Sequence, residues 1–453
     1  MNPLNPRRGV IVLFVLAWCL SMAGSALAGT ASSVQQSQAL YDKKEYQKAL
    51  EELDKLDPQA ASASDVRRLR IRTLLKLGNP KDALAGYEEL VQALKQEDQS
   101  ILREVSLGFV LVLTKDMREQ MRGVAYTALK EWQSPESIPF LEDGLADGSG
   151  LVRALAAEGL AKLDQGRRSA RFRKALDDQA ALVKEAVLKG FAKSADISAI
   201  PIVEPLLKDP EARVRVAAAQ VLCHLKRVNG CELLLQYAKN ALNPDERASA
   251  IRALADQPTA EVLSILLESS EHKQPSVRGA VATGLAHVPA AEGVAALTRL
   301  LKDPLPPVRT AAAVSLGQLQ GFETRAPLNK ALDDRDPAVR AFVIGALLGQ
   351  GERYEIVAGP VQVLSHLNEP AARAAVARAL GHAVESNRES AQSAVMLMVQ
   401  DTVPRVRIAA VKSMAKVEGA RAIPLLKHSL HDEDDAVRAT AGGALLKVLS
   451  AKE

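Results

Sequence analysis

Apolar residues recur along most of this chain with the period of a helix. In eleven stretches, alanine or valine stands three positions after a basic residue, and leucine, phenylalanine or methionine stands seven positions after it. A valine precedes the basic residue in eight of these stretches. Positions i, i+4 and i+8 lie on one face of a helix. Each stretch is therefore predicted to be a helix with one buried face, on which small and large side chains alternate.

The basic residues recur at intervals of 31 to 34 residues. They are Arg122, Arg153, Lys184, Arg215, Arg247, Arg278, Arg309, Arg340, Arg373, Arg407 and Arg438. A near-constant period of this length is typical of a solenoid, in which each unit buries its apolar face against its neighbours.

The start of this helix is also marked in the sequence. Asp209-Pro210 and Asp303-Pro304 combine a side-chain acceptor with a proline at the first helical position, a common helix start. Isoleucine followed by proline recurs upstream, at Ile138-Pro139, Ile200-Pro201 and Ile423-Pro424, and indicates a first helix ahead of this one. Each unit is therefore predicted to be a helix-turn-helix.

On these motifs, residues 99–453 resemble HEAT repeats of the short bacterial type found in the phycobilin lyase family. The resemblance implies an all-α protein, an α-solenoid built as a superhelix of about eleven stacked helix pairs. It also implies a ladder between neighbouring units, in which an aspartate pairs with the base six residues later. Those pairs are Asp116 with Arg122, Asp147 with Arg153, Asp178 with Lys184, Asp209 with Arg215, Asp303 with Arg309, Asp334 with Arg340, Asp401 with Arg407, and Asp432 with Arg438. The aspartate is missing at Ala241, His272 and Leu367.

A different pattern precedes this array. Ala49 and Ala83 each begin an Ala-Leu step and lie 34 residues apart, with Leu53 or Tyr87 four positions later. This spacing is similar to two tetratricopeptide (TPR) units. Residues 29–98 are therefore predicted to form a TPR-like helical region.

The N-terminus predicts export. Arg7 and Arg8 precede an apolar run at 10–20, and the small residues Ala26 and Ala28 follow it. This is the pattern of a secretory signal peptide, which we expect at 1–28 with cleavage after Ala28 and a periplasmic destination. The alternative is an uncleaved membrane anchor. Eleven residues would span about 16 Å as a helix, against about 30 Å of bilayer hydrocarbon.

Composition excludes a nucleic-acid-binding role. The full chain carries 58 basic and 54 acidic residues, and removing 1–28 leaves 56 against 54, a net charge of +2. Acidic and basic residues are interspersed, and aromatic residues make up 3%. Cys223 and Cys231 are the cysteines of the predicted mature chain. They fit either two packed apolar positions or a disulfide across a turn.

No residue pattern indicates catalysis. The chain has no glycine-rich phosphate loop, no HExxH and no His-Glu dipeptide, the iron-binding pair of deoxyhypusine hydroxylase, an enzyme built on HEAT repeats. Three histidines stand nine positions after a base, but His224 and His287 would lie about 20 Å apart across helix layers about 10 Å thick. We therefore predict a non-enzyme with no metal and no cofactor.

The leading hypothesis is an exported scaffold or adaptor that binds a protein or peptide partner. The resemblance implies that the second helices line the concave side, so contact residues are expected five and nine positions after each base. These are Lys189, Lys193, His224, Arg252, His287, Gln318, Arg378 and His382. Two alternatives remain: a lyase-like enzyme or chromophore chaperone, and a membrane-tethered envelope assembly factor.

Overall fold

A computed structural model describes residues 33–194, 196–319 and 323–450. All regular structure in these residues is helical, which confirms the predicted all-α class. None of the described helices has the length and apolar character needed to cross a membrane. The predicted signal peptide lies outside the described residues. The chain divides into two compact units, Met1–Val112 and Leu113–Glu453.

The first unit is built around four helices: α1 (Tyr46–Asp54), α2 (Ser64–Lys76), α3 (Pro80–Leu94) and α4 (Gln99–Leu111). The alanines and large residues that suggested TPR units are all buried, with Leu53 2% exposed and Tyr87 fully covered. Arg72 holds α2 to α4 through an ion pair with Glu104, at 2.8 Å. The predicted change from TPR-like to HEAT repeats at residue 98 stays a prediction, because the division into compact units does not distinguish one type of repeat from the other.

The second unit contains one long helix for each predicted repeat. These inner helices are α5 (Glu119–Trp132), α6 (Gly150–Ala161), α7 (Ala181–Ala192), α8 (Ala212–His224), α9 (Pro244–Leu254), α10 (Pro275–Leu285), α11 (Pro306–Gln318), α12 (Pro337–Gly349), α13 (Pro370–Leu380), α14 (Pro404–Glu418) and α15 (Asp435–Ser450). Every residue of the two predicted apolar columns is at most 5% exposed. The predicted buried face is therefore confirmed.

A second set of helices flanks the inner ones and packs against them from outside. They are Ile138–Gly144, Ala170–Lys174, Ile200–Val203, Val228–Asn240, Ala260–Ser269, Ala291–Leu300, Arg325–Ala331, Tyr354–Ser365, Arg388–Val399 and Ile423–His428. Consecutive inner helices pack extensively on one another, whereas consecutive outer helices touch little. The predicted α-solenoid, with the second helix of each pair on the inner side, is confirmed.

The second unit is a closed ring. Helix α15 packs on α14 on one side and on α5 on the other, as extensively as any two consecutive inner helices. At this seam a Cβ atom on Gly443 would lie 2.6 Å from the Cβ of Ala128. Trp132 Nε1 donates a hydrogen bond to Ser450 Oγ at 2.9 Å. The first and last repeats therefore cover each other.

The predicted ladder exists, but its pairing is different. Arg153 donates through Nε and Nη2 to the carboxylate of Asp178, at 2.7 and 2.9 Å, in the following unit. Its Nη1 donates to the backbone carbonyl of Asp147, six residues earlier, at 2.8 Å. The predicted pairing of side chains six residues apart is therefore wrong. The rungs are Arg122–Asp147, Arg153–Asp178, Lys184–Asp209, Arg278–Asp303, Arg309–Asp334, Arg373–Asp401 and Arg407–Asp432.

The ladder fails where the sequence lacks the aspartate. Arg215, which would face Ala241, pairs with Glu246 instead, at 2.7 Å. The arginines that face His272 and Leu367 gain no such substitute. The buried Nε atoms of Arg247 and Arg340 have no hydrogen-bond partner among the described residues. A missing aspartate thus leaves a buried donor unsatisfied in the preceding unit, which costs stability.

A disulfide joins Cys223, at the end of α8, to Cys231 in the following outer helix. Of the two interpretations left open by the sequence, the structure has the cross-link. Lys226 lies between the two cysteines with φ at +58°, in the left-handed region, where the chain turns sharply enough to bring them together. Gln257 Nε2 lies 3.1 Å from the Cys223 sulfur and covers it from the next unit.

Candidate functional site

The inner helices face a lumen, and one part of it forms a cavity of about 380 Å³. Four consecutive inner helices, α7 to α10, supply its walls. The lining residues are Glu185, Lys189, Ala192, Lys193, Arg213, Val216, Ala217, Gln220, His224, Ser249, Arg252, Ala253, Asp256, Thr283, Gly284 and His287. The floor is made of small apolar side chains and the rest is polar or charged.

The structure brings together five of the eight predicted contact residues. Lys189, Lys193, His224, Arg252 and His287 all line the cavity. They meet because the columns five and nine positions after each base lie on the same helical stripe, which faces the lumen.

The other three predicted residues stand apart from this cavity. Gln318 lies alone at the end of α11. Arg378 and His382 lie one turn apart at the end of α13. They form a second basic position, in which Arg405 of α14 helps to lower the pKa of Arg378.

The predicted columns do not include three residues of the cavity, namely Glu185, Arg213 and Ser249, whereas Asp256 lies in the column nine positions after Arg247 but is not among the predicted contacts. Glu185 and Arg213 lie one position after and two positions before a repeat base. Both continue the predicted stripe towards the start of the helix, because residues three and four apart share a face. Following the stripe over its whole length would have found them.

The cavity has more positive charge than negative. Four cations, Lys189, Lys193, Arg213 and Arg252, face two carboxylates, which gives +2 before the histidines are counted. Glu185 pairs with Lys189 at 2.7 Å and lies 3.8 Å from Arg213.

The remaining carboxylate and cations are arranged differently. Asp256 accepts a hydrogen bond from Gln220 at 2.7 Å. Arg252 donates to the hydroxyl of Ser249 at 3.3 Å. Neither Lys193 nor Arg252 forms an ion pair with a described residue, so both can receive an anion.

The lumen is a place where positive charge is costly. Burial lowers the pKa of Arg252 and of Arg378, although both side chains reach solvent. Burial and the neighbouring Lys130 lower the pKa of Lys162, and burial and Lys416 lower that of His382. Protein surrounds these groups on the concave side and replaces part of their hydration. A bound anion would relieve this penalty.

The histidines of the lumen do not form a metal site. Among the described residues, no group of three or more histidine, cysteine, aspartate or glutamate side chains is arranged to hold a metal ion. His224 Nδ1 lies 2.9 Å from the backbone carbonyl of Gln220 in its own helix, so this hydrogen bond fixes the ring.

A second cavity, of about 630 Å³, adjoins the first at the C-terminal rim of the inner helices. Lys193 lines both cavities. Arg167 and Arg168 add positive charge to the second cavity, and Asp164 and Asp196 add negative charge, the latter in an ion pair with Arg173. Arg167 binds the backbone carbonyl of Ala161 at 2.8 Å and pairs with Asp164. Arg168 forms no ion pair within the described part of the chain, and its side chain is exposed. Basic side chains therefore continue from the lumen to the rim.

The family is decided by the repeats themselves. The family model described as HEAT repeats matches six overlapping stretches: residues 106–192, 169–255, 200–277, 231–317, 294–356 and 357–446. The chain belongs to the HEAT-repeat family. The matches reach all the inner helices and confirm that the motifs are those of HEAT repeats. No curated protein is similar enough to this HEAT-repeat chain to match it.

Three solved structures similar to this HEAT-repeat protein can be compared. Human deoxyhypusine hydroxylase in complex with glycerol is 19% identical, covering 63% of this chain and 96% of that one, with a TM-score of 0.27. YibA of E. coli is 18% identical over 58% and 95%, with a TM-score of 0.35. Kap121p bound to Nup53p is 14% identical over 87% and 48%, with a TM-score of 0.35. At these identities the likeness concerns the fold alone.

Proposed function

We propose that this protein is an exported, non-catalytic adaptor that binds a segment of polypeptide in the lumen of its HEAT ring. The cavity between α7 and α10 supports this proposal most directly, because it combines a concave apolar floor with polar groups from four helices. Ligand sites in proteins are built in this way. The remainder of the inner stripe offers further polar side chains along the same surface.

The size of the ring favours a segment over a folded domain. Packed helix axes are about 8–10 Å apart, so eleven helices evenly spaced on a circle would enclose an opening of about 17–24 Å. A helix is about 10–12 Å wide and would pass through. A 100-residue domain has a radius of gyration of about 13 Å, which makes it wider than this opening.

Export rests on two features that support each other. The N-terminal pattern is that of a secretory signal, and the Cys223–Cys231 disulfide is a bond that persists in oxidising compartments. Sequencing the N-terminus of the protein recovered from the envelope tests whether the chain is exported and its signal peptide removed. A mature chain beginning at Gly29 is expected, and an intact Met1 would favour the tethered alternative.

Site-specific photo-crosslinking in living cells tests the adaptor role. A photoreactive residue replaces Thr283, which lines the cavity, or Glu292, which is exposed on an outer helix as a matched control. The lumen position is expected to label one continuous segment of a partner, and a synthetic peptide of that segment should bind the purified protein. Absence of a specific adduct from the lumen, or equal labelling from both positions, would refute the proposal.

A further inference from the structure

We infer that the lumen selects its partner by carboxylates, so the polypeptide it binds is an acidic segment in extended form. This inference rests on the proposed function and adds the chemistry of the ligand. It starts from the two cations of the cavity that lack an ion pair with a described residue, Lys193 after α7 and Arg252 on α9. Their charge faces a space bounded by protein, where opposite charge is favoured.

The positions of these cations favour a chain over a single small anion. Lys193 and Arg252 lie on inner helices that are two steps apart around the ring, with α8 between them. Packed helix axes are about 8–10 Å apart, so the axes that carry these two cations are about 16–20 Å apart, a spacing that favours two separated carboxylates over one phosphate group. Side chains at i and i+2 of an extended chain are about 6.8 Å apart, and those at i and i+4 about 13 Å. Two carboxylates of one segment can therefore meet both cations.

The neighbouring cavity extends the same path. Lys193 belongs to both cavities, and Arg168 in the second is exposed without an ion pair among the described residues. Three cations thus follow one another in space from the lumen to the rim of the ring: Arg252, Lys193 and Arg168. A third carboxylate further along the segment would meet Arg168.

The lining also argues against other ligands. The floor between the cations is small and apolar, with Val216, Ala217 and Ala253, and no phenylalanine, tyrosine or tryptophan lines either cavity among the described residues. Nucleobases and sugars are usually held by stacking on large aromatic rings, and the imidazoles of His224 and His287 offer a smaller stacking surface. A short aliphatic side chain that ends in a carboxylate fits a small apolar floor with cations at its edge.

Fluorescence anisotropy with designed peptides tests the inference on the purified full chain. The probe is a labelled decapeptide of alternating glutamate and alanine, compared with the same peptide carrying glutamine or lysine in place of glutamate. The acidic peptide is expected to bind at least ten-fold more tightly than the glutamine peptide. R252Q and K193Q should each raise the Kd of the acidic peptide about ten-fold, the loss expected for one charge-assisted hydrogen bond.

The control carries the same charge change elsewhere. R299Q and K330Q remove exposed cations from two outer helices and should leave the Kd unchanged. Neither Arg252 nor Lys193 holds the fold through an ion pair, so the lumen variants should keep the wild-type circular dichroism spectrum.

The outcomes separate this inference from the adaptor proposal. Equal binding of acidic and glutamine peptides, or an equal loss in the outer control, overturns carboxylate selection but leaves the adaptor role standing. Failure of every peptide to bind, together with no crosslink from the lumen, removes both. Competition with free anions decides between sources of negative charge: displacement by inorganic phosphate at concentrations where glutarate has no effect would also overturn the inference.

Discussion

His272 occupies a rung of the ladder that lacks its aspartate, and His272→Asp is expected to stabilise the ring. The residue lies 25 positions after Arg247, the separation found in six of the seven Arg/Lys–Asp rungs. Its Nδ1 accepts the backbone N–H of Gln274 at 3.1 Å, as the aspartates accept the N–H two residues later. An aspartate at 272 would keep that hydrogen bond and give the guanidinium of Arg247 a carboxylate.

The size of the expected stabilisation follows from the missing hydrogen-bond partner of Arg247. Its buried Nε has no hydrogen-bond partner among the described residues, and an unsatisfied buried donor costs about 1–3 kcal/mol. Both side chains are partly exposed, so we expect a gain near the middle of that range, about 1–2 kcal/mol. For a unit of this size that corresponds to a rise in Tm of about 2 °C.

The gain in stability from His272→Asp should increase as the pH falls. Burial and the positive charge of Arg247 lower the pKa of His272 below its ordinary value of 6.5. The unfolded chain therefore takes up a proton near pH 6.5 that the folded chain refuses, and stability conferred by the neutral ring is lost as pH falls below that value. Aspartate stays ionised down to about pH 4 and has no such loss. The difference in Tm between the variant and wild type should be larger at pH 5.5 than at pH 7.5.

Thermal unfolding followed by circular dichroism, with two control variants, measures the effect. His272→Asn keeps an acceptor for Gln274 but brings no charge, and Arg247→Met removes the partner. The coupling in a double-mutant cycle between His272→Asp and Arg247→Met is expected to be about 1 kcal/mol or more. The reasoning would be refuted by an unchanged or lower Tm for His272→Asp, or by the same gain in the Arg247→Met background.

Three substitutions and one treatment test the rest of the ring. Gly443→Ala places a Cβ against Ala128 across the seam and should lower the free energy of unfolding, measured in urea, by about 1–3 kcal/mol. In the control Gly279→Ala the new Cβ meets open space, so the free energy of unfolding should rise by up to about 1 kcal/mol. Reducing the Cys223–Cys231 disulfide, whose cysteines are 8 residues apart, should lower stability by about 2.5 kcal/mol, seen as a lower Tm with reductant. Hydrogen bonds from Arg373 lower the pKa of Asp401, so the stability that the ionised carboxylate contributes is present above about pH 4 and is lost as the pH falls through the lower folded value. Asp401→Asn should therefore destabilise the protein at pH 7, and the loss of stability should become smaller as the pH falls below about 4.

The helices and their buried faces could be predicted from the sequence because each repeat carries its own local signal. A small residue such as Ala218 and a large one such as Leu222 occur at fixed distances from the base, and eleven copies average out the exceptions. The lumen residues were predictable for the same reason. A stripe that faces away from the buried column has to face the concave side.

The pairing of the ladder could not be obtained in this way. In a repeat of 31 residues, an aspartate six residues before Arg153 and another 25 residues after it are equally regular. Which of the two aspartates pairs with the arginine depends on three-dimensional geometry. Asp147 lies at the turn before α6 and accepts from the start of that helix through its side chain, while its backbone carbonyl faces Arg153. Its carboxylate therefore points towards Arg122 of the preceding unit.

Ring closure depends on a quantity that no single repeat encodes. Eleven units close when each rotates by about 33° relative to the last, and a change of a few degrees per unit, multiplied eleven times, would open the ring into a spiral. At the seam the ladder between the last unit and the first is incomplete. Arg438 does not reach Asp116 to complete a rung; instead Asp116 binds Arg118, and Arg118 lies 3.8 Å from Asp435, the partner of Arg438.

The composition of the last described helix fits this closure. The last repeat of an open solenoid needs a polar outer face to meet water. Helix α15 has none: its sequence DAVRATAGGALLKVLS is apolar or small on nearly all sides, and 12 of its 16 residues are buried. A helix that is apolar all round must be covered on all sides. In this protein α5 supplies the missing cover, so the absence of a polar cap on the final repeat is explained by the contact that closes the ring.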